Sequence, residues 1–358
     1  MTDLLKQLES LLPTQADDQQ FEGVETWPAC QRCIFRNCRF AALHLNAIEL
    51  RELRFENCRF GAIRIDGGRL DQVVFDRCQV ESMQVAGAHW TQVSGLQCEL
   101  GPVVLLRSQL AGLQFIGGQT QALTLEQCSG RQASWVDHRL DHLRLQGGQW
   151  HDLTLANAQV ARVEVLGVAL ERLLWGRSAF DSVVLDDCSA QTLTWFDCRI
   201  TQLQMSGVRA SNMSWQDSHV QGGQVQHCVM PRAQLAGSHL TGLNLSGCDL
   251  SQAMFNGARL TQCDLRQLRA EKLSLRQAHL ADVDLSGARL NGLNATGAQV
   301  QGLRLTDAEC CDGVLHGQRE ADWAGAHLDG TEFTTPPALD DSLWWHTTRP
   351  GPKEGALA

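Results

Sequence analysis

From Phe35 to Leu315 every fifth residue is apolar, and only Gly95, Thr120 and Gly130 break the rule in 57 positions. The run opens Phe35, Phe40, Leu45, Leu50, Phe55 and still holds at Leu275, Leu280, Leu285 and Leu290. A second register two residues earlier is apolar or small: Cys33, Cys38, Leu43, Ile48, Leu53, Cys58. Between Cys30 and Leu315 lie 27 acidic and 26 basic residues, and none of them occupies either register. Two positions in five therefore face a shared interior, and three in five face water.

A period of five fits neither a helix nor an alternating strand. A short fixed period predicts a solenoid. The residue two places after each central apolar position is often Gly, as at Gly67, Gly87, Gly117, Gly147, Gly207 and Gly247. Type II turns need positive φ at their third residue, which glycine supplies without steric cost. Each five residues thus read as one short straight side and one corner.

A longer period overlies the first. Every twentieth residue from Phe35 runs Phe55, Phe75, Gly95, Phe115, Trp135, Leu155, Trp175, Trp195, Trp215, Leu235 and Phe255. The column that starts at Leu45 has no aromatic residue through its first twelve members. Residues twenty apart share an environment, so four sides close one coil and the coils stack. With strands ~4.8 Å apart, fourteen coils predict a rod of roughly 65–70 Å. Between residues 53 and 153 the earlier register mostly alternates large (Leu53, Ile63, Val73, Met83, Val93) with small (Cys58, Gly68, Cys78, Ala88, Cys98). That order predicts interdigitation across a narrow core.

The stretches Ala233-Gln234-Leu235, Cys248-Asp249-Leu250, Cys263-Asp264-Leu265, Val283-Asp284-Leu285 and Ala288-Arg289-Leu290 resemble the A(D/N)Lxx motif of pentapeptide repeat proteins. The resemblance covers about 285 of the 358 residues and is clearer after residue 230. It implies an all-β solenoid, a right-handed quadrilateral parallel β-helix of about 14 coils.

The ends differ from the shaft. Leu4, Leu5, Leu8, Leu11 and Leu12 form one helical stripe, started by Thr2 or Asp3 and stopped by Pro13. Residues 1–29 are read as an amphipathic helix that plugs the open end of the stack, with a docking helix as the other reading. The helix is too short to span a membrane and lacks the features of a signal peptide. Residues 30–315 form the repeat. The fivefold count then breaks and resumes, shifted by three, at Trp323, Leu328 and Phe333. Residues 316–345 are thus a shifted last coil and cap, in which Trp344 and Trp345 either close the end or present an aromatic anchor. Residues 346–358 read as a disordered tail.

The net charge of −10 sits mostly at the ends. Residues 1–29 carry six acids and one lysine; residues 316–358 carry seven acids and three bases. The shaft is close to neutral. Duplex DNA carries one negative charge per ~1.7 Å of axis, so a neutral shaft is a poor imitation of it. No basic stripe announces direct nucleic-acid binding. Eleven of the 14 cysteines fall in the small inward register, where cysteine acts as a small apolar filler. So many buried thiols suit a reducing compartment, here the cytoplasm. Cys30, Cys33 and Cys38 lack an obvious fourth zinc ligand nearby.

Chemistry is sparse. No phosphate loop, nucleophile elbow or metalloprotease motif occurs. His138 alone among twelve histidines lies in an inward register, where a hydrogen-bonded role is expected. Asp181, Asp186 and Asp187 form a local acidic run with Arg177 and Arg199 near. The expectation is a protein without catalytic residues, metal or cofactor, which works through its outer surface. Val74, Val104, Leu174, Val184 and Phe196 stand at outward positions. Leu4, Leu8, Leu11, Phe196, Trp344 and Trp345 are the candidate partner-binding residues. The resemblance implies a cytoplasmic rod that acts as a scaffold or adaptor for another protein. Some family members of similar build accompany bacterial type VI secretion effectors, so a secreted effector is one expected partner. The alternative the family offers is a DNA-mimic inhibitor or protector of type II topoisomerases. Neither nucleic acid nor membrane is an expected partner, and homodimerisation through an end of the rod is a further expectation.

Overall fold

The computed structural model describes residues 15–21, 30–316 and 324–334. Among them, strands stack in parallel with a shift of twenty residues per coil: Phe55 pairs Phe75, Leu43 pairs Ile63, and Trp175 pairs Trp195. The chain is a parallel β-solenoid of about 14 coils, as the two periods predict. Its four flanks are named here by their first central residues: Phe35, Phe40, Leu45 and Leu50. Those central residues and the register two places earlier are buried almost throughout.

The twenty-residue columns become stacks. Phe35, Phe55 and Phe75 lie 5.1 and 5.2 Å apart with near-parallel rings. Phe40 and Phe60 repeat this at 4.7 Å on the next flank. Trp175, Trp195 and Trp215 are separated by 5.1 and 5.0 Å with interplanar angles of 3° and 2°. All three are at most 1 % exposed. Strand pairing alone sets this spacing, so an aromatic at position i meets the aromatic at i+20 without further adjustment. The indole N–H groups of these three find no acceptor, a cost outweighed by the area each ring buries.

Corners come in two kinds. From Gly222 to Asp312 each corner carries a left-handed residue in the slot where glycine recurs, as at Gly247, Gln252 and Gly257 with φ of 68°, 61° and 66°. Turn hydrogen bonds close many of them, for example Ala253 N to Leu250 O at 2.9 Å and Ala258 N to Phe255 O at 3.0 Å. Before residue 222 at least one corner in each coil has no such residue, and from His142 on two have none, as at His142 and Asp152. Strands such as Arg39–Asn46 and Arg59–Asp66 run through it without a break. Those continuous corners lead into Leu43, Ile63, Met83 and Val103, whereas the left-handed corners at Asn37, Asn57, Arg77 and Gln97 lead into Cys38, Cys58, Cys78 and Cys98. Large residues also follow left-handed corners, as Leu53 after Glu52, Val73 after Gln72 and Val93 after Gln92, so corner type alone does not set the large–small alternation.

The rod begins before residue 30. Strands Gln15–Asp17 and Gln20–Phe21 pair with Ile34–Arg36 and Arg39–Phe40. Ala16 is buried, and Phe21 stacks on Phe40 at 4.7 Å. The offset here is nineteen residues, so counting in fives from Phe35 passes these positions by, and the boundary expected at residue 29 is too late. At the other end Val314–His316 pairs with Glu332–Thr334 at an offset of eighteen, and Leu328 packs against the core. Leu4, Leu8, Leu11, Trp344 and Trp345 lie outside the described residues.

The cysteines divide into two chemical states. Cys33 is disulfide-bonded, which departs from the all-thiol expectation. Cys38, Cys58, Cys78 and Cys98 are buried free thiols. The last three donate to carbonyls of the preceding coil, Cys58 Sγ to Phe35 O at 3.4 Å and Cys78 Sγ to Phe55 O at 3.3 Å.

Candidate functional site: the Phe35 flank

A straight side of three residues points its centre inward and its two edges outward, so every flank carries two outward rows beside a trough. On the Phe35 flank these rows contain no charged residue over nine consecutive coils. One row runs Ser94, Gln114, Ser134, Thr154, Leu174, Thr194, Ser214, Gln234 and Met254; the other begins Leu96, Ile116, Val136, Ala156, Gly176 and Phe196. The stripe is roughly 38 Å long at ~4.8 Å per strand. Over the same length the other flanks carry charge, such as Glu99 and Arg139, Arg144 and Glu164, or Arg131 and Glu171.

Within the stripe Leu174 is 44 % and Phe196 45 % exposed, and Met254 adds a third apolar side chain at 36 %. Leu174 pairs with Thr194, and Gly176 with Phe196. Leu174 and Phe196 thus lie diagonally on neighbouring strands, over the buried Trp175 and Trp195. No atom lies within 4 Å of where a Cβ on Gly176 would stand, which leaves a notch beside Phe196. Singly exposed apolar residues are common on protein surfaces; here three of them share one uncharged stripe.

Of the outward apolar residues read from the sequence, Leu174 and Phe196 lie in this stripe, and Val74 stands on the same flank one coil before it, beside Asp76. Val104 and Val184 stand on the Leu45 flank and are half-buried. Leu96, Ile116 and Val136, which complete the stripe, were not singled out; their signal was the twenty-residue offset applied to an outward row rather than to the core. Asp181 lies on a different flank from Asp186, so that acidic run is not one cluster.

Among the described residues no group of three or more His, Cys, Asp or Glu side chains could hold a metal ion. The Leu50 flank has a trough with two contiguous depressions of about 460 and 520 Å³ that share Gln149 and His151. Within it His151 Nδ1 and Glu171 Oε2 pair at 2.6 Å. The inward His138 meets Thr120, the one polar residue of the central register, at 2.9 Å through Nε2, and its Nδ1 faces Gly117 O. Burial holds its imidazole below the ordinary pKa, so it stays neutral and structural. Some ionic side chains pair along columns: Arg36 with Glu56 at 2.8 Å, Arg172 bidentate on Asp152, and Arg144 on the buried Glu164, which Arg162 of the same strand also meets.

Comparisons with known proteins agree with this architecture. The family description "Pentapeptide repeat region" matches residues 29–105, and "Pentapeptide repeats (8 copies)" matches residues 230–267 and 274–308. A comparison with curated proteins returned no match. Similar solved structures include a pentapeptide repeat protein from the Arabidopsis thaliana thylakoid lumen, 28 % identical over 31 % of this chain and 75 % of that one, with a TM-score of 0.24. QnrB1, a plasmid-mediated fluoroquinolone resistance protein, is 16 % identical over 52 % and 92 %, at 0.31. HetL from the cyanobacterium Nostoc, involved in heterocyst differentiation regulation, is 16 % identical over 68 % and 87 %, at 0.19. The repeat matches, together with the five- and twenty-residue periods and the four-sided stacked coil, identify the chain as a pentapeptide repeat protein.

Proposed function

We propose that this chain is a non-enzymatic scaffold or adaptor that binds another protein along its Phe35 flank. The observation that carries the reading is the uncharged stripe with Leu174 and Phe196 exposed at its middle. A straight column of parallel strands holds these side chains at fixed spacing, so a partner meets a pre-ordered surface. Aromatic residues dominate binding hot spots, which makes Phe196 the anchor. The charge pattern favours this reading over a DNA mimic, because the 27 acids of the shaft are nearly balanced by its 26 bases.

The test is a photo-crosslinking side chain placed at position 196 and, as a control, at position 104 on the Leu45 flank. A specific protein captured from the native cell at 196 and not at 104, and lost in the Leu174→Glu/Phe196→Glu variant, supports the proposal. Equal capture at both positions, or capture that survives the variant, overturns it. In its finer form the partner is a type VI secretion effector that the rod helps to load. Deletion of the gene then blocks delivery of one effector while the secretion apparatus keeps working; an unchanged secreted set rejects that form.

A further inference from the structure

On the Phe40 flank, five consecutive strands begin with a basic or imidazole residue. Arg199 pairs with His219, His219 with His239, His239 with Arg259, and Arg259 with His279. The residues are twenty apart in sequence, so the chain hides the alignment that stacking creates. The rings of His219 and His239 stand 4.3 Å apart. Neither Arg199 nor Arg259 forms an ion pair with a described residue, unlike Arg36 and Arg144 on other flanks. His279 Nδ1 is shielded from water and has no hydrogen-bond partner. The opposite edge of the same trough carries Thr201, Gln221, Thr241 and Thr261, neutral groups that donate and accept hydrogen bonds. The floor is Ile200, Val220, Leu240 and Leu260, all buried.

We infer that this trough binds an extended acidic segment of a partner protein, and binds it more tightly as pH falls. The inference rests on the scaffold reading and names the chemistry of one partner on a second flank. Carboxylates would meet the Arg/His edge in charge-assisted hydrogen bonds, and the peptide backbone would meet the Thr/Gln edge. Four strand steps give ~19 Å, the length of an extended segment of about six residues. A nucleic acid fits less well, because the edge has only two permanent cations and the trough has no exposed aromatic for stacking.

The pH dependence follows from what surrounds the imidazoles. His239 lies between His219 and Arg259, with His279 beyond; partial burial and these cationic neighbours hold its pKa down. Burial and Arg259 do the same for His279. Other charged groups in the adjoining rows and strands are Arg177, Asp181, Asp197, Asp217, Arg276 and Asp282. None of these acids is paired with an imidazole of the column. His239 and His279 are therefore held toward their neutral forms, and an arriving carboxylate row draws protons onto them. Each imidazole protonated on binding adds up to tenfold in affinity per pH unit.

Fluorescence anisotropy with a labelled decaglutamate peptide tests this on the full chain. Expected are binding at least tenfold tighter at pH 5.5 than at pH 7.5, no binding of decaglutamine, and a change of under threefold in the His219→Gln/His239→Gln/His279→Gln variant. Arg199→Gln/Arg259→Gln weakens binding at both pH values; circular dichroism confirms that these outward substitutions leave the fold intact. Leu174→Glu/Phe196→Glu leaves decaglutamate binding unchanged, which separates this site from the Phe35 flank. Binding that is independent of pH, equal for decaglutamine, or weaker than that of a labelled ten-nucleotide thymidine strand overturns the inference.

Discussion

Gly130 lacks a side chain because the indole of Trp150, one coil further on, stands where its Cβ would be: that atom would lie 2.1 Å from Trp150 Cζ3. Gly95 is the same case against Phe115, at 2.6 Å. The third exception in the central register, Thr120, is polar because His138 bonds it. Each irregularity is answered by a residue about one coil away, which is what a stack with a fixed twenty-residue step requires.

Gly130→Ala is therefore expected to destabilise by about 1–3 kcal/mol through overpacking. Its backbone is not in the left-handed region, so the penalty comes from the ring. In a Trp150→Leu background the same substitution should cost far less, a coupling of about 0.5–3 kcal/mol. Urea-denaturation midpoints of the four proteins measure it; equal effects in both backgrounds would refute the pairing.

Neighbouring residues should behave oppositely. Trp195 is wholly buried and Phe196 is 45 % exposed. Trp195→Ala should cost about 3–5 kcal/mol, whereas Phe196→Ala should stay within about 0.5 kcal/mol. The same denaturation experiment decides, and a large loss at 196 would place it in the core.

Thiol chemistry should separate along the same boundary. Burial pushes Cys198 up to about 11 and Cys310 up to about 12, whereas Cys311 is only half-buried. Only the thiolate is nucleophilic. Among the cysteines of the described rod, Cys311 should react first with a disulfide reagent at pH 8, and the free thiols from Cys38 to Cys310 only on unfolding. Peptide mapping after brief labelling tests this, and fast labelling of Cys198 would contradict it.

Acid should weaken the fold before it protonates many carboxylates. His138, His239 and His279 all have depressed imidazole pKa values, first through burial. In the unfolded chain they titrate near 6.5. Below that pH the unfolded chain takes up protons that the folded chain refuses, so stability falls as pH drops from about 6.5. Above it these groups are neutral in both states and contribute no slope. Asp152 and Asp264, held down by Arg172 and Arg266, add a second loss at lower pH. The urea midpoint should be lower at pH 5.5 than at pH 7.5, and the Thr120→Val/His138→Ala variant should show a smaller difference. A midpoint that rises on acidification would contradict the assignment.

Most of the fold was legible because one physical constraint repeats. A residue that must pack against its counterpart twenty places on leaves a mark at every coil, and the Phe35 and Trp175 columns carried that mark plainly. What stayed hidden lies where the step changes or where the repeat was not applied. The coil at Ala16 and Phe21 escaped because its offset is nineteen. The continuous corners escaped because the glycine slot was read as a turn throughout, although Pro102 occupies one such corner and cannot take positive φ. Leu174 and Phe196 were visible as outward apolar residues, but their shared stripe and the Arg199–His279 column appear only when outward rows are aligned by coil. Side chains in the core are constrained by packing; those on the skin are constrained only by what they bind, and that leaves no period.

The most direct test of the stacked coil is the distance between spin labels on one outward row, introduced at Ser134 with Ser214 and at Ser94 with Ser274 in a Cys311→Ser background. The pairs are four and nine coils apart, so electron–electron resonance should give distances that differ by about 24 Å, or ~4.8 Å for each twenty residues. A separation that fails to grow in that proportion would contradict the solenoid and, with it, both flanks on which binding is proposed.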